Sequence, residues 1–159
     1  MNWKKRVEKY HRWMHSSGEY ELAIGKPASK EDIHATSAKL DFIFPPDFVE
    51  LYSEMNGFGI CSPEHSAEWF LLPLDMILET QRHTKKMLES HTEIGSRFIP
   101  IIDWMCGDFT GFLRPTERGK DLRLFTLEHE RFEYNAVQNP DDFLFPLHSS
   151  IKDFLTPSE

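Results

Sequence analysis

The chain has 159 residues, 40% of them hydrophobic and 13% aromatic, with thirteen Phe. That composition excludes a disordered polymer and points to one globular domain with a real core. The net charge of −8 is uneven: residues 1–40 hold eight Lys/Arg against five Asp/Glu, giving +3, and residues 41–159 hold ten against twenty-one, giving −11. An acidic body argues against nucleic acid and anionic membranes as partners and favours basic ones.

No apolar run approaches the ~20 residues that a membrane span needs. The first stretch, MNWKKRVEKYHRW, has positive charges without an apolar core behind them, so it does not read as a signal peptide. Two cysteines, Cys61 and Cys106, make no disulfide framework. The expected compartment is a reducing cytoplasm.

Trp3, Val7, Tyr10 and Met14 are spaced as one helical stripe. YELAIGKPAS then reads as a connector. Ser29 is placed as an N-cap with Asp32 three residues on, a capping-box-like start. The helix that follows runs to Leu40 and turns Ile33 and Leu40 inward. Pro46 suits the first turn of a third helix, and Asp47 sits beside the positive end of its dipole. Phe48, Leu51, Tyr52 and Met55 form its inner face, and Asn56-Gly57 is the expected stop.

Beyond Gly59 the texture becomes that of strands. Glu68–Pro73 is the first expected strand, with its partner and direction open. A helix over Leu74–Ser90 follows, with Ile77, Leu78 and His83 inward. Phe98–Trp104 and Gly107–Leu113 read as a hairpin turning at Met105–Asp108. Leu122–Leu127 and Phe132–Val137 complete the expected strands. A Pro-Asp-Asp linker leads to a last short helix capped by Ser149 or Ser150. Strands joined by short turns predict an α+β domain: one mainly antiparallel sheet of five or six strands with helices packed against it.

Residues able to carry chemistry are scattered. His11 and His15 lie four apart on one helical face, but Arg12 stands where a zincin has Glu, so unassigned surface histidines are the better reading. Cys61 and His65 frame a loop in which the thiol reads as packing rather than as a nucleophile. Asp103 and Asp108 flank the hairpin turn, where Asp is common for its turn dihedrals. Together with His129 they are the set a metal-dependent hydrolase would use. There is no Gly-rich phosphate loop, nucleophile elbow or cysteine cluster. No catalytic residue, metal or cofactor is therefore expected.

Four segments in order carry a resemblance. LDFIFPPDFVELYSEMNG, from Leu40 to Gly57, is similar to the helix-entry pattern of the SUKH superfamily. WFLLPLDMI (Trp69–Ile77), FIPIIDWMCGDFTGFL (Phe98–Leu113) and SSIKDFL (Ser149–Leu155) follow as that family's later segments do. The resemblance covers residues 29–155, with residues 1–28 as an N-terminal helix and connector of the same domain. Trp104-Met105-Cys106 and Ile151 depart from the pattern. The resemblance implies a non-enzymatic binding module. Bacterial members of this superfamily resemble immunity proteins that neutralise polymorphic toxins, often nucleases, and fungal relatives are scaffolds in cell-wall signalling. The implied partner is a basic toxin domain, and an acidic surface is what a basic nuclease cleft would meet. The acids expected to contribute are Glu64, Glu68, Asp103, Asp108, Glu128 and Glu130. Strand alternation would place Glu128 and Glu130 on one side.

Overall fold

The computed structural model describes residues 1–116 and 121–157. Helix α1 (Trp3–Met14) starts where the Asn2 side chain accepts the Lys5 N–H at 2.9 Å. Its first two N–H groups are taken by a carboxylate oxygen of Glu54, at 3.1 and 3.3 Å. The helix therefore enters docked on α3, and it buries Trp3, Val7 and Tyr10. Helix α2 (Lys30–Leu40) begins at Ser29, whose hydroxyl accepts the Asp32 N–H at 3.0 Å and donates to the Asp32 carboxylate at 2.7 Å. Its inner face is Ile33, Thr36 and Leu40.

Helix α3 (Pro46–Glu54) has the expected inward face: Phe48, Leu51 and Tyr52 are fully buried, and Met55 just past its end is 1% exposed. Phe44, Phe48 and Tyr52 stack in sequence, with ring centroids 3.9 and 4.0 Å apart. At the end of the stack the Tyr52 hydroxyl donates to the Leu72 carbonyl at 2.6 Å. Burial pushes this phenol far above its ordinary pKa, so it stays a neutral donor.

The described residues form one antiparallel seven-stranded sheet in chain order. Its strands are β1 (Glu21–Ile24), β2 (Phe58–Ser62), β3 (His65–Leu71), β4 (Phe98–Asp103), β5 (Phe109–Leu113), β6 (Leu124–Leu127) and β7 (Leu144–His148). Helices α4 (Leu74–Met87) and α5 (Thr92–Arg97) join β3 to β4, and α6 (Ile151–Phe154) closes the described chain. The Ser150 hydroxyl caps α6 through the Asp153 N–H at 3.0 Å. Between β3 and β4 the ladder is thin: Leu71 faces Ile102, and the Leu72 N–H reaches the Ile101 carbonyl at 2.8 Å. The sheet is covered on both faces. Phe112 and Leu124 join the large core with α1–α4 and α6, while Phe109, Leu113, Phe125 and Leu127 turn to a smaller cluster with Phe98, Phe143 and Leu144. Among the described residues, no helix is long and apolar enough to cross a membrane.

Several expectations are corrected. The connector after α1 contains β1, and β2 lies between the expected third helix and the first expected strand. Both are short and interrupted by or next to Gly, so they lack a clear alternating run. Residues 132–137 form no strand: Tyr134 and Val137 are 57% and 89% exposed. The place beside β6 belongs to β7, LFPLH, which Pro146 disguises as a linker. Proline is tolerated there because β7 is an edge strand. The helix after β3 ends at Met87, and a 3₁₀ turn and α5 take up the rest. His83 points outward, and Thr84 holds the buried position instead.

Leu51→Ala is expected to cost about 2–5 kcal/mol in chemical denaturation, as fully buried Leu truncations do. Tyr52→Phe removes one buried hydrogen bond and is expected to cost about 1 kcal/mol. A Leu51→Ala protein as stable as the parent would contradict this packing.

Candidate functional site

The β4–β5 hairpin shows where the expected acids go. Met105 takes φ 61°, and its N–H is accepted by the Asp103 carboxylate at 2.8 Å. The Asp108 carboxylate accepts two hydrogen bonds from the turn after β6. One is from the His129 backbone N–H at 2.9 Å, and the other lies between the same oxygen and His129 Nδ1 at 2.6 Å. Gly107 has φ 101°, and a Cβ there would lie 3.0 Å from the His129 ring. Glycine therefore lets the imidazole lie over the hairpin. Asp108 and His129 do meet, each about one-third exposed, while Asp103 serves its own turn. Among the described residues, no three His, Cys, Asp or Glu side chains are grouped to hold a metal.

The other acids divide in the same way. Glu128 pairs with Arg131 at 2.8 Å. Residues 129–131 form a 3₁₀ turn, so strand alternation does not relate Glu128 to Glu130, and Glu130 is exposed beyond the end of β6. Glu64 is exposed in the turn between β2 and β3, and Glu68 is exposed on β3. Among the described residues, neither Glu64 nor Glu68 forms an ion pair.

Glu68 borders a cavity of about 290 Å³ that no local sequence pattern announces. One wall is α1, through Tyr10 and Met14, and the other is the sheet, through Phe58, Phe70 and Trp104. Tyr10 lies 6.0 Å from Phe70 in a stacked arrangement and 6.3 Å edge-on from Phe58. Trp104 stands edge-on to Phe70 at 5.0 Å and is fixed by its indole N–H, which donates to the Thr110 hydroxyl at 2.9 Å. Glu68 and Phe70 are two residues apart on β3 and so share the face toward α1. The rim carries Tyr20, Met105, His11 and His15, with Tyr20 43% and Met105 52% exposed.

The two histidines belong to this rim rather than to open surface. Their rings lie 4.9 Å apart, and His11 Nε2 is 3.1 Å from the Tyr20 carbonyl. Partial burial, and then the neighbouring His11, hold the His15 pKa below its ordinary value. Cys61 sits in β2 with its thiol 3.8 Å from the Glu21 carbonyl, while His65 Nδ1 lies 3.2 Å from the Ser62 hydroxyl. The thiol and the imidazole therefore have separate partners. Burial raises the Tyr10 phenol pKa as well.

The model of the SMI1 / KNR4 family (SUKH-1) matches residues 27–156. No curated protein matches the chain.

Because the folded state resists protonating His15, the unfolded chain takes up that proton first as pH falls below 6.5. Stability is then complete above that pH and declines below it. His15→Gln is expected to flatten this decline below about pH 6.5, read as denaturant midpoints. Identical pH profiles for the two proteins would contradict the assignment.

Proposed function

Since the chain belongs to the SMI1 / KNR4 family (SUKH-1), we propose that it is an immunity protein that neutralises a basic toxin domain through acidic surface groups. The observation that carries the reading is the family match over residues 27–156, which takes in every strand from β2 to β7 and all helices but α1. The family is generally a non-enzymatic, immunity-type domain that engages a protein. The −11 carried by residues 41–159 supports the choice of a basic partner.

Exposure and pairing separate the candidate acids. Glu64, Glu68 and Glu130 are exposed, and we assign them to the partner surface. Asp103 and Asp108 hold the hairpin and the turn after β6, so their first role is to shape that edge. Glu128 reaches a partner at the expense of its Arg131 pair. A hydrolase built on Asp103, Asp108 and His129 is disfavoured for the same reason: an Asp103 oxygen is engaged by its own turn, and one Asp108 oxygen receives both hydrogen bonds from His129.

Charge complementarity of this kind acts mainly on the association rate and is screened by salt. Co-expression with a toxin encoded beside this gene is expected to protect the host cell. Reversing Glu64, Glu68 and Glu130 to Lys is expected to slow association about tenfold or more at low salt and to leave the unfolding midpoint nearly unchanged. Association that is insensitive both to salt and to the triple reversal would contradict the acidic-surface mechanism.

A further inference from the structure

The cavity between α1 and the β2–β3 hairpin combines three features. Its walls are aromatic faces and edges from Tyr10, Phe58, Phe70 and Trp104. One carboxylate, Glu68, stands at its border, exposed and without an ion pair among the described residues. Large apolar side chains remain in water at its rim: Tyr20 is 43% and Met105 52% exposed. A folded chain leaves such rings in water at a cost, and exposed apolar groups gathered at a concavity mark an interaction surface.

An apolar occupant would satisfy the walls and bury the carboxylate without a partner, which is unfavourable. A cation alone would satisfy the carboxylate and leave the half-buried Phe70 and Trp104 in water. A side chain with an apolar stem and a planar cationic head satisfies both. Guanidinium stacks on aromatic faces and meets a carboxylate with paired N–H donors, which ammonium does less well.

We propose that this cavity is the anchor site for an arginine side chain of the protein partner, with its stem along the accessible sides of Phe70 and Trp104 and its guanidinium on the Glu68 carboxylate. The proposal rests on the reading of the chain as a binder of a basic protein and names the contact that anchors it. Buried arginines are frequent energetic centres of interfaces, and a rim of near-neutral contacts that excludes water surrounds them. Tyr20 and Met105 supply that rim. His11 and His15 stand at the same rim, their rings 4.9 Å apart.

The test is a ¹H–¹⁵N titration of the full chain with N-acetyl-arginine amide, beside the lysine and norleucine analogues. The Trp104 indole N–H and the amides of Ile60 and Phe70 are the reporters. Saturable shifts at these positions are expected in the millimolar range for the arginine probe, several-fold weaker for lysine, and none for norleucine. Glu68→Gln is expected to weaken the arginine probe about tenfold and Tyr20→Ala several-fold. Both residues are exposed, and unchanged spectral dispersion would show that each variant is folded. Norleucine binding as tightly as arginine, an unaffected Glu68→Gln, or the absence of saturable shifts each overturns the proposal. Lysine binding as tightly as arginine overturns the choice of arginine. Saturable arginine binding in a protein that no toxin engages refutes the proposed function and leaves the cavity assignment standing. Association slowed by Glu64→Lys and Glu130→Lys, with Glu68→Gln and Tyr20→Ala silent, refutes the anchor and leaves the proposed function standing.

Discussion

The junction at Asn56-Gly57 joins the ends of five elements of the structure. The Asn56 N–H donates to the Lys26 carbonyl at 2.9 Å, and its side-chain oxygen accepts the Leu74 N–H at 2.8 Å. That second bond caps α4, whose own N-cap position is Pro73 and offers no side-chain acceptor. The Gly57 carbonyl accepts the Gly25 N–H at 2.9 Å. Gly57 itself has φ 86°, and a Cβ there would lie 2.6 Å from the Leu71 carbonyl. Only glycine allows both the left-handed turn and that approach. Within a few residues the end of α3, the exit of β1, the start of β2, the end of β3 and the start of α4 are tied together.

What the junction fixes, the aromatic core extends. Tyr52 bonds to Leu72 on the chain leaving β3, and the stack through Phe48 and Phe44 runs toward Phe42 and Phe112, carrying α3 across to β5. Such rings contribute burial and a preferred geometry together. This bridge matters because β3 and β4 share so little ladder. The cavity opens beside that thin seam, with Trp104 from the end of β4 and Phe70 from β3 as neighbours. Its opposite wall, α1, is positioned by Glu54 from α3. The acids of the hairpin edge and the cavity are thus presented by one frame.

The helices α1, α2 and α3 are legible in the sequence because their signals are local. A 3.6-residue stripe, a Ser29–Asp32 cap and a Pro46 start need no distant partner to be recognised. The hairpin at Met105–Asp108 is legible for the same reason. The edge strands are not: β1 has four residues and β7 contains Pro146, so each becomes a strand only by pairing with its neighbour. Phe132 misleads in the other direction, because it is buried as a single anchor against Phe143 rather than as part of a strand. The site divides likewise. Glu68 and Asp108 stand out as acids near strands and turns. The Asp108–His129 contact spans 21 residues, and the cavity gathers side chains from α1, β2, β3 and the end of β4. No spacing in the chain encodes either.

The dependence of this frame on the junction is tested most directly by amide hydrogen exchange of an Asn56→Ala variant against the parent. If the Asn56 side chain ties the elements as described, exchange should rise in the first turn of α4 as well as at residues 55–58, while β5 and β6 keep their protection. A rise confined to residues 55–58, with α4 as protected as before, would contradict the central role given to the Asn56 side chain.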